Sequence, residues 1–378
     1  MRSRQTLSAI GCLLLTACGG TRTARPAAAP PDHAVAPAPA AGGVSQRGGT
    51  HAVIDEEVTV TAGTRVIHGT VSRPDAPGRH PGLMIIAGSG PTDRNWESPL
   101  LQGANGGGRQ LGHALAERGI VVLRYDKLGT GQTPAPATPV SPEDYGAEQR
   151  AMLGHLRGHA SVDPAHWFLA GHSEGGAHAI HLVAQLPADQ RPTGLVLLAS
   201  VGRTMRDVMV LQLQGNFDHA PMPPADRTRY MQQFTTAIDG VIAGRYRHPS
   251  TVTDLPPVQQ LYAAVASPAG RPFSRWLLAY DPATEISALT LPMLIINGER
   301  DVQVSPTLDA QRLADAARHG GNTHVTLFLA PTANHVMKHE TTPFAQLDLA
   351  RVQAGYAAAG TVLDDDVVNT LATWLTTN

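Results

Sequence analysis

The chain has 378 residues, enough for two average domains or for one large α/β domain carrying an insertion. Hydrophobic residues make up 42%, which supports a sizeable core and excludes wholesale disorder. Lysine plus arginine total 29 against 31 aspartate plus glutamate, a balance that argues against a nucleic-acid binder. The cysteines are Cys12 and Cys18, so the body of the chain holds neither a disulfide framework nor a cysteine-based zinc site. The lysines are Lys127 and Lys338; every other cationic side chain of this class is arginine.

Residues 1–17 read as an address. Arg2 and Arg4 form a positive start, and Leu7 to Leu15 an apolar run too short to span a bilayer. Leu15-Thr16-Ala17-Cys18 resembles the lipobox of bacterial lipoproteins. The resemblance implies cleavage before Cys18, lipidation of Cys18, and membrane anchoring at a bacterial cell envelope. The periplasmic side or the surface is expected there, with the outer membrane as the expected membrane. An ordinary signal peptide with an incidental cysteine is the alternative. Residues 18–50 follow as a tether: positions 24–43 hold nine alanines and five prolines, which cannot bury a hydrophobic face.

The body, residues 51–202 and 283–378, alternates strand and helix. Glu57-Val-Thr-Val-Thr61 and Arg65-Val-Ile-His-Gly-Thr-Val-Ser72 alternate apolar and polar residues around Ala62-Gly63-Thr64, a hairpin signal. Continuous apolar runs follow at 82–87, 120–123, 167–170, 195–199, 291–296 and 325–329, as expected of parallel strands buried on both faces. Helical segments fall between several of them, at 108–118, 142–156 and 176–186. The fold class is therefore α/β, a mostly parallel central sheet flanked by helices. Residues 203–282 break the rhythm with apolar residues at helical spacing: Met205, Met209, Leu213; Tyr230, Phe234, Ile238, Ile242; Phe273, Trp276, Leu277, Tyr280. They read as a helical cap insertion expected to cover an acyl pocket. Packing of the same stripes on the main core is the plainer alternative.

The strongest chemical signal is Gly171-His-Ser-Glu-Gly175, directly after one strand and before a helix. G-x-S-x-G in that setting makes a sharp turn that lifts the Ser173 hydroxyl above the sheet. A serine needs a base, and the base an orienting acid. Gly298-Glu-Arg-Asp-Val-Gln-Val304 follows one later strand and supplies Asp301, with Glu299 as rival. Ala330-Pro-Thr-Ala-Asn-His335 follows another and supplies His335, with His324 and His339 nearby. The spacing of His335 and His339 would suit a metal on a helix, but no third ligand stands out, and no metal or organic cofactor is expected. Gly88-Ser-Gly90 lacks the third glycine of a dinucleotide fingerprint and no Gly-Lys-Ser/Thr occurs, so no nucleotide is expected.

The order Ser173, Asp301, His335 resembles that of the α/β-hydrolases. The chain is most similar to bacterial carboxylesterases grouped with the serine aminopeptidase-like and prolyl-oligopeptidase-like hydrolases. Gly88-Ser-Gly-Pro-Thr-Asp-Arg94 and Arg124-Tyr-Asp-Lys-Leu-Gly129 match loops common in that group, with Leu128 where arginine is usual. The resemblance covers roughly residues 55–378 outside the insertion. It implies an oxyanion hole built from the backbone N–H groups of Glu174 and Ser89. Asp93, Arg94, Asp126 and Lys127 are expected to form ion pairs that brace these loops.

The expected activity is hydrolysis of small carboxylic esters, of short to medium acyl chain, through an acyl-enzyme. A peptidase, aminopeptidase, amidase or thioesterase would use the same triad. An aminopeptidase would bring an acidic residue of the insertion, such as Asp207, Asp218 or Asp239, to the pocket. A non-catalytic envelope binding protein on the same fold is a further alternative.

Overall fold

A computed structural model describes residues 50–101 and 103–378; the signal peptide, Cys18 and the tether lie outside the described residues. Strands β1 (Val53–Ala62) and β2 (Arg65–Pro74) form the expected hairpin, turning at Gly63 with φ +63°. Strands β3 (His80–Ile86), β4 (Val121–Tyr125), β5 (Val162–His172), β6 (Gly194–Leu198), β7 (Met293–Gly298) and β8 (Val325–Ala330) complete an eight-stranded sheet. The order is β1-β2-β4-β3-β5-β6-β7-β8, antiparallel through β2–β4 and parallel from there on.

The continuous apolar runs have a simple cause. Met84, Ile86, Leu195, Leu197, Met293 and Ile295 enter one core cluster, while Leu83, Ile85, Val196, Leu198, Leu294 and Ile296 enter the other. Side chains alternate across a strand, so a strand covered on both faces must be apolar at every position.

Helices α1 (Gly107–Ala116), α2 (Pro142–Gly158) and α3 (Glu174–Gln185) connect the first parallel strands. Helix α2 starts sharply because Ser141 and Asp144 cap each other's backbone N–H and Pro142 occupies the first turn. After β6 come α4 (Met205–His219), α5 (Pro224–Ile242), α6 (Pro256–Val265), α7 (Arg271–Ala279) and α8 (Pro282–Ile286). Their apolar stripes, including Met209, Leu213, Phe234, Ile238 and Phe273, join the same cluster as Met84 and Leu195. Helices α9 (Gln311–His319), α10 (Leu349–Tyr356) and α11 (Asp365–Thr377) close the chain, with α1, α10 and α11 covering the second face. No helix among the described residues is long and apolar enough to cross a membrane.

Candidate active site

Strand β5 runs through His172, and Ser173 stands between it and the first residue of α3. Ser173 has φ 56° and ψ −123°. That region costs of order 1–3 kcal/mol for a non-glycine residue, so surrounding bonds must enforce it. Ser173 N–H donates to the Leu198 carbonyl at 2.9 Å and Gly176 N–H to the Ser173 carbonyl at 3.0 Å. The motif glycines are there for space: a Cβ on Gly171 would strike the Gly175 carbonyl, and one on Gly175 the Ile86 carbonyl. The turn thus fits only if both flanking positions lack side chains.

Ser173, Asp301 and His335 come together from three strand ends. His335 Nε2 lies 3.1 Å from Ser173 Oγ, and His335 Nδ1 lies 2.8 Å from Asp301 Oδ2. A carboxylate only accepts, so Nδ1 carries the proton and Nε2 presents its lone pair to the hydroxyl. Asp301 is 1% exposed and its Oδ1 accepts from the N–H groups of Gln303 at 2.7 Å and Val304 at 2.9 Å. Glu299 and His324 are exposed. His339 contacts Asp364 at 3.3 Å. Residues 331–341 are turns and short bridges, with Ala333 paired to His339, so the helical turn that would join His335 and His339 does not exist.

His172, inside the elbow, is no rival base. Its Nε2 faces the His335 carbonyl at 2.8 Å and therefore donates to it. Burial, reinforced by the neighbouring His335, pushes its pKa down to about 3, so it stays neutral. The ring stacks on Trp96 at 4.1 Å between centroids and so fixes the cavity wall.

The loop after β3 approaches the elbow closely: a Cβ on Gly88 would lie 3.2 Å from Ser173 Cβ. The N–H groups of Ser89 and Glu174 donate to no partner among the described residues. Lys127 Nζ donates to the Gly88 carbonyl. That carbonyl and the Ser89 N–H belong to one planar trans peptide, so holding the oxygen also aims the N–H the opposite way. Of the four residues expected to form ion pairs, Arg94 and Asp126 do so at 2.8 Å. Asp93 instead accepts from the N–H of Asn95 and Glu97, and Lys127 reaches a carbonyl rather than a carboxylate. Leu128 is buried in the core, and its N–H donates to Glu148 Oε2 at 2.9 Å.

A cavity of about 100 Å³ contains Ser173 and His335. Its wall comes from the 88–105 loop, Gln303, Val336 and the end of α10, with Gln353 and Tyr356. None of the residues lining this cavity lies in 203–282; the insertion reaches its edge through Gln212, whose Nε2 donates to the Gln303 carbonyl at 2.8 Å. Lys338, which carries no sequence motif, ties the wall together. Its buried Nζ donates to the carbonyls of Asn105 at 2.5 Å and Tyr356 at 2.6 Å. Burial pushes its pKa down to about 8. The one hint in the sequence was compositional, since both lysines of an arginine-rich chain are buried against backbone carbonyls beside this cavity.

A family model described as serine aminopeptidase, S33, matches residues 106–342, a span containing Ser173, Asp301 and His335. The chain belongs to this family. Esterase EstD of Thermotoga maritima is 22% identical over 324 residues, covering 85% of this chain and 67% of that protein. Putative esterase NocK of Nocardia uniformis is 29% identical over 165 residues, covering 38% of this chain and 46% of that protein. Among solved structures, Est1E of Butyrivibrio proteoclasticus with bound ferulic acid has a TM-score of 0.51 at 13% identity, covering 85% of this chain and 100% of that one. Proline iminopeptidase of Mycobacterium smegmatis has a TM-score of 0.50 at 17% identity, covering 85% and 98%. These two likenesses establish an α/β-hydrolase fold and leave the chemistry to the site.

Proposed function

We propose that this S33-family protein is a serine hydrolase that cleaves short-chain carboxylic esters through an acyl-enzyme. The observation that carries the reading is the continuous chain from Ser173 Oγ through the His335 ring to a buried Asp301. His335 Nε2 takes the hydroxyl proton as Ser173 Oγ bonds to the carbonyl carbon, and the carbonyl electrons move to oxygen. Ser89 and Glu174 N–H groups hold that oxyanion; one such donor is typically worth about 3–4 kcal/mol in the transition state. The C–O bond then breaks, the alcohol leaves with the proton from His335, and water repeats the sequence to free the acid. Asp301 keeps the ring oriented and stabilises its cationic form.

An ester is favoured over an aminoacyl substrate by the charge of the wall. Its side chains are neutral apart from the catalytic imidazole's own cycle, whereas a free α-amino group wants a carboxylate. The acids that would have served are otherwise engaged: Asp207 and Asp239 with Arg206, Asp218 with Arg227. The cavity of about 100 Å³ suits short acyl groups. The name esterase carried by EstD agrees with this reading. Lipidation at Cys18 and envelope anchoring belong to the same proposal on the strength of the lipobox; Cys18→Ser should move the protein from the membrane to the soluble fraction.

The test is a chain-length series of p-nitrophenyl esters beside aminoacyl anilides. Hydrolysis of the shortest esters with little anilide cleavage is expected. Anilide cleavage outpacing every ester would assign an aminopeptidase instead.

A further inference from the structure

The cavity beside Ser173 contains more hydrogen-bonding capacity than ester cleavage requires. Gln303 and Tyr356 meet there, with Gln303 Nε2 donating to Tyr356 Oη at 2.5 Å. That leaves the tyrosine O–H to donate and Gln303 Oε1 to accept. Gln353, half-buried on the same wall, has a side-chain amide with no hydrogen-bond partner among the described residues. Donors and acceptors from three side chains therefore share one small space with the nucleophile.

Resting on the ester-hydrolase reading, we propose that Gln303, Gln353 and Tyr356 form a subsite for a neutral hydrogen-bonding group of the substrate, a hydroxyl or a carboxamide. A purely alkyl group would displace water from these atoms and leave them unpaired, which a site pays for in selectivity. A carboxylate or an ammonium would lose its hydration with no countercharge on the wall to meet it. The fitting substrate is a short ester with one such polar substituent on its acid or its alcohol part.

The sides are separated by matched pairs assayed on the full protein. p-Nitrophenyl lactate against p-nitrophenyl propionate places the hydroxyl on the acid; ethylene glycol monoacetate against ethyl acetate places it on the alcohol. In at least one pair the hydroxylated ester should show kcat/KM about tenfold higher, the size expected of one well-made hydrogen bond. In Gln353→Leu and in Tyr356→Phe that ratio should fall toward one. Because each ratio is read within one variant, a reduced folded fraction does not alter it. Equal or better use of the unsubstituted ester in both pairs overturns the subsite while leaving the ester-hydrolase reading intact. So does a ratio that survives unchanged in both variants. If the wild-type protein cleaves none of the four esters, the ester-hydrolase reading fails and takes the subsite with it.

Discussion

Lys127 Nζ donates to the carbonyl oxygen of Gly88, so a buried ammonium orients the peptide whose other end is the Ser89 N–H. Burial lowers the lysine's pKa, while Glu174 and Glu148 oppose the fall. Burial likewise opposes ionisation of Glu174, yet His178 and Lys127 outweigh it and hold that carboxyl below its usual range. The same cation therefore holds the loop carrying Ser89 and favours the ionised side chain of Glu174, whose backbone N–H is the second proposed donor.

Lys127→Met should lower kcat for a p-nitrophenyl ester by about tenfold to a hundredfold, with KM changed far less, because the aim of one oxyanion donor is lost. Lys127→Arg should not restore it, since a planar five-donor guanidinium is brought to a single carbonyl. Steady-state kinetics normalised to titrated active sites, beside thermal melts, checks this. A rise in KM at unchanged kcat would show that the lysine does not position the donor.

Glu148 gives a pH-dependent prediction. Burial raises its pKa from 4.5 to about 8, against smaller opposing effects of the Leu128 N–H and Lys127. Between those values the folded protein holds a proton that the unfolded chain has released, so stability falls as pH rises from about 5 to about 8. Below that window the penalty is absent; above it the penalty is complete. Glu148→Gln keeps an acceptor for the Leu128 N–H and removes the titration. Its melting temperature should gain on the wild type across the window, by up to a few kcal/mol in stability at the upper end. Urea unfolding at several pH values measures it, and a gap that stays constant or narrows would contradict it.

The two carboxylates after β7 should behave very differently. Asp301→Asn leaves the volume but reverses the donor and acceptor pattern at His335 Nδ1, and kcat should drop by roughly four orders of magnitude. Glu299 is exposed, and Glu299→Gln should change kcat by less than about twofold. Single-turnover rates on one ester decide between them.

Legibility from the sequence followed the range of the forces involved. Strands β3 to β8 were readable because burial on both faces leaves a continuous apolar run, a purely local signature. Ser173 was readable because its turn demands glycine on either side, and Asp301 and His335 because each follows a recognisable strand. The wall of the cavity was not. Trp96, Gln303, Lys338 and Tyr356 meet only through folding, and neither spacing nor motif links them. The insertion was legible only in part, for a related reason. An apolar stripe announces that a face is buried without saying against what: α5, with Phe234 and Ile238, packs on α4, α6 and α7 of the insertion itself, while Phe273 meets Tyr145 of α2 at 4.6 Å between ring centroids.

Covalent labelling of the folded protein by a fluorophosphonate, mapped by peptide mass spectrometry, addresses the catalytic assignment most directly. The adduct should sit on Ser173, form at least about a hundredfold more slowly in His335→Ala, and abolish ester hydrolysis in step with its formation. Ester hydrolysis that persists in Ser173→Ala, or an adduct on a different serine, would contradict the assignment.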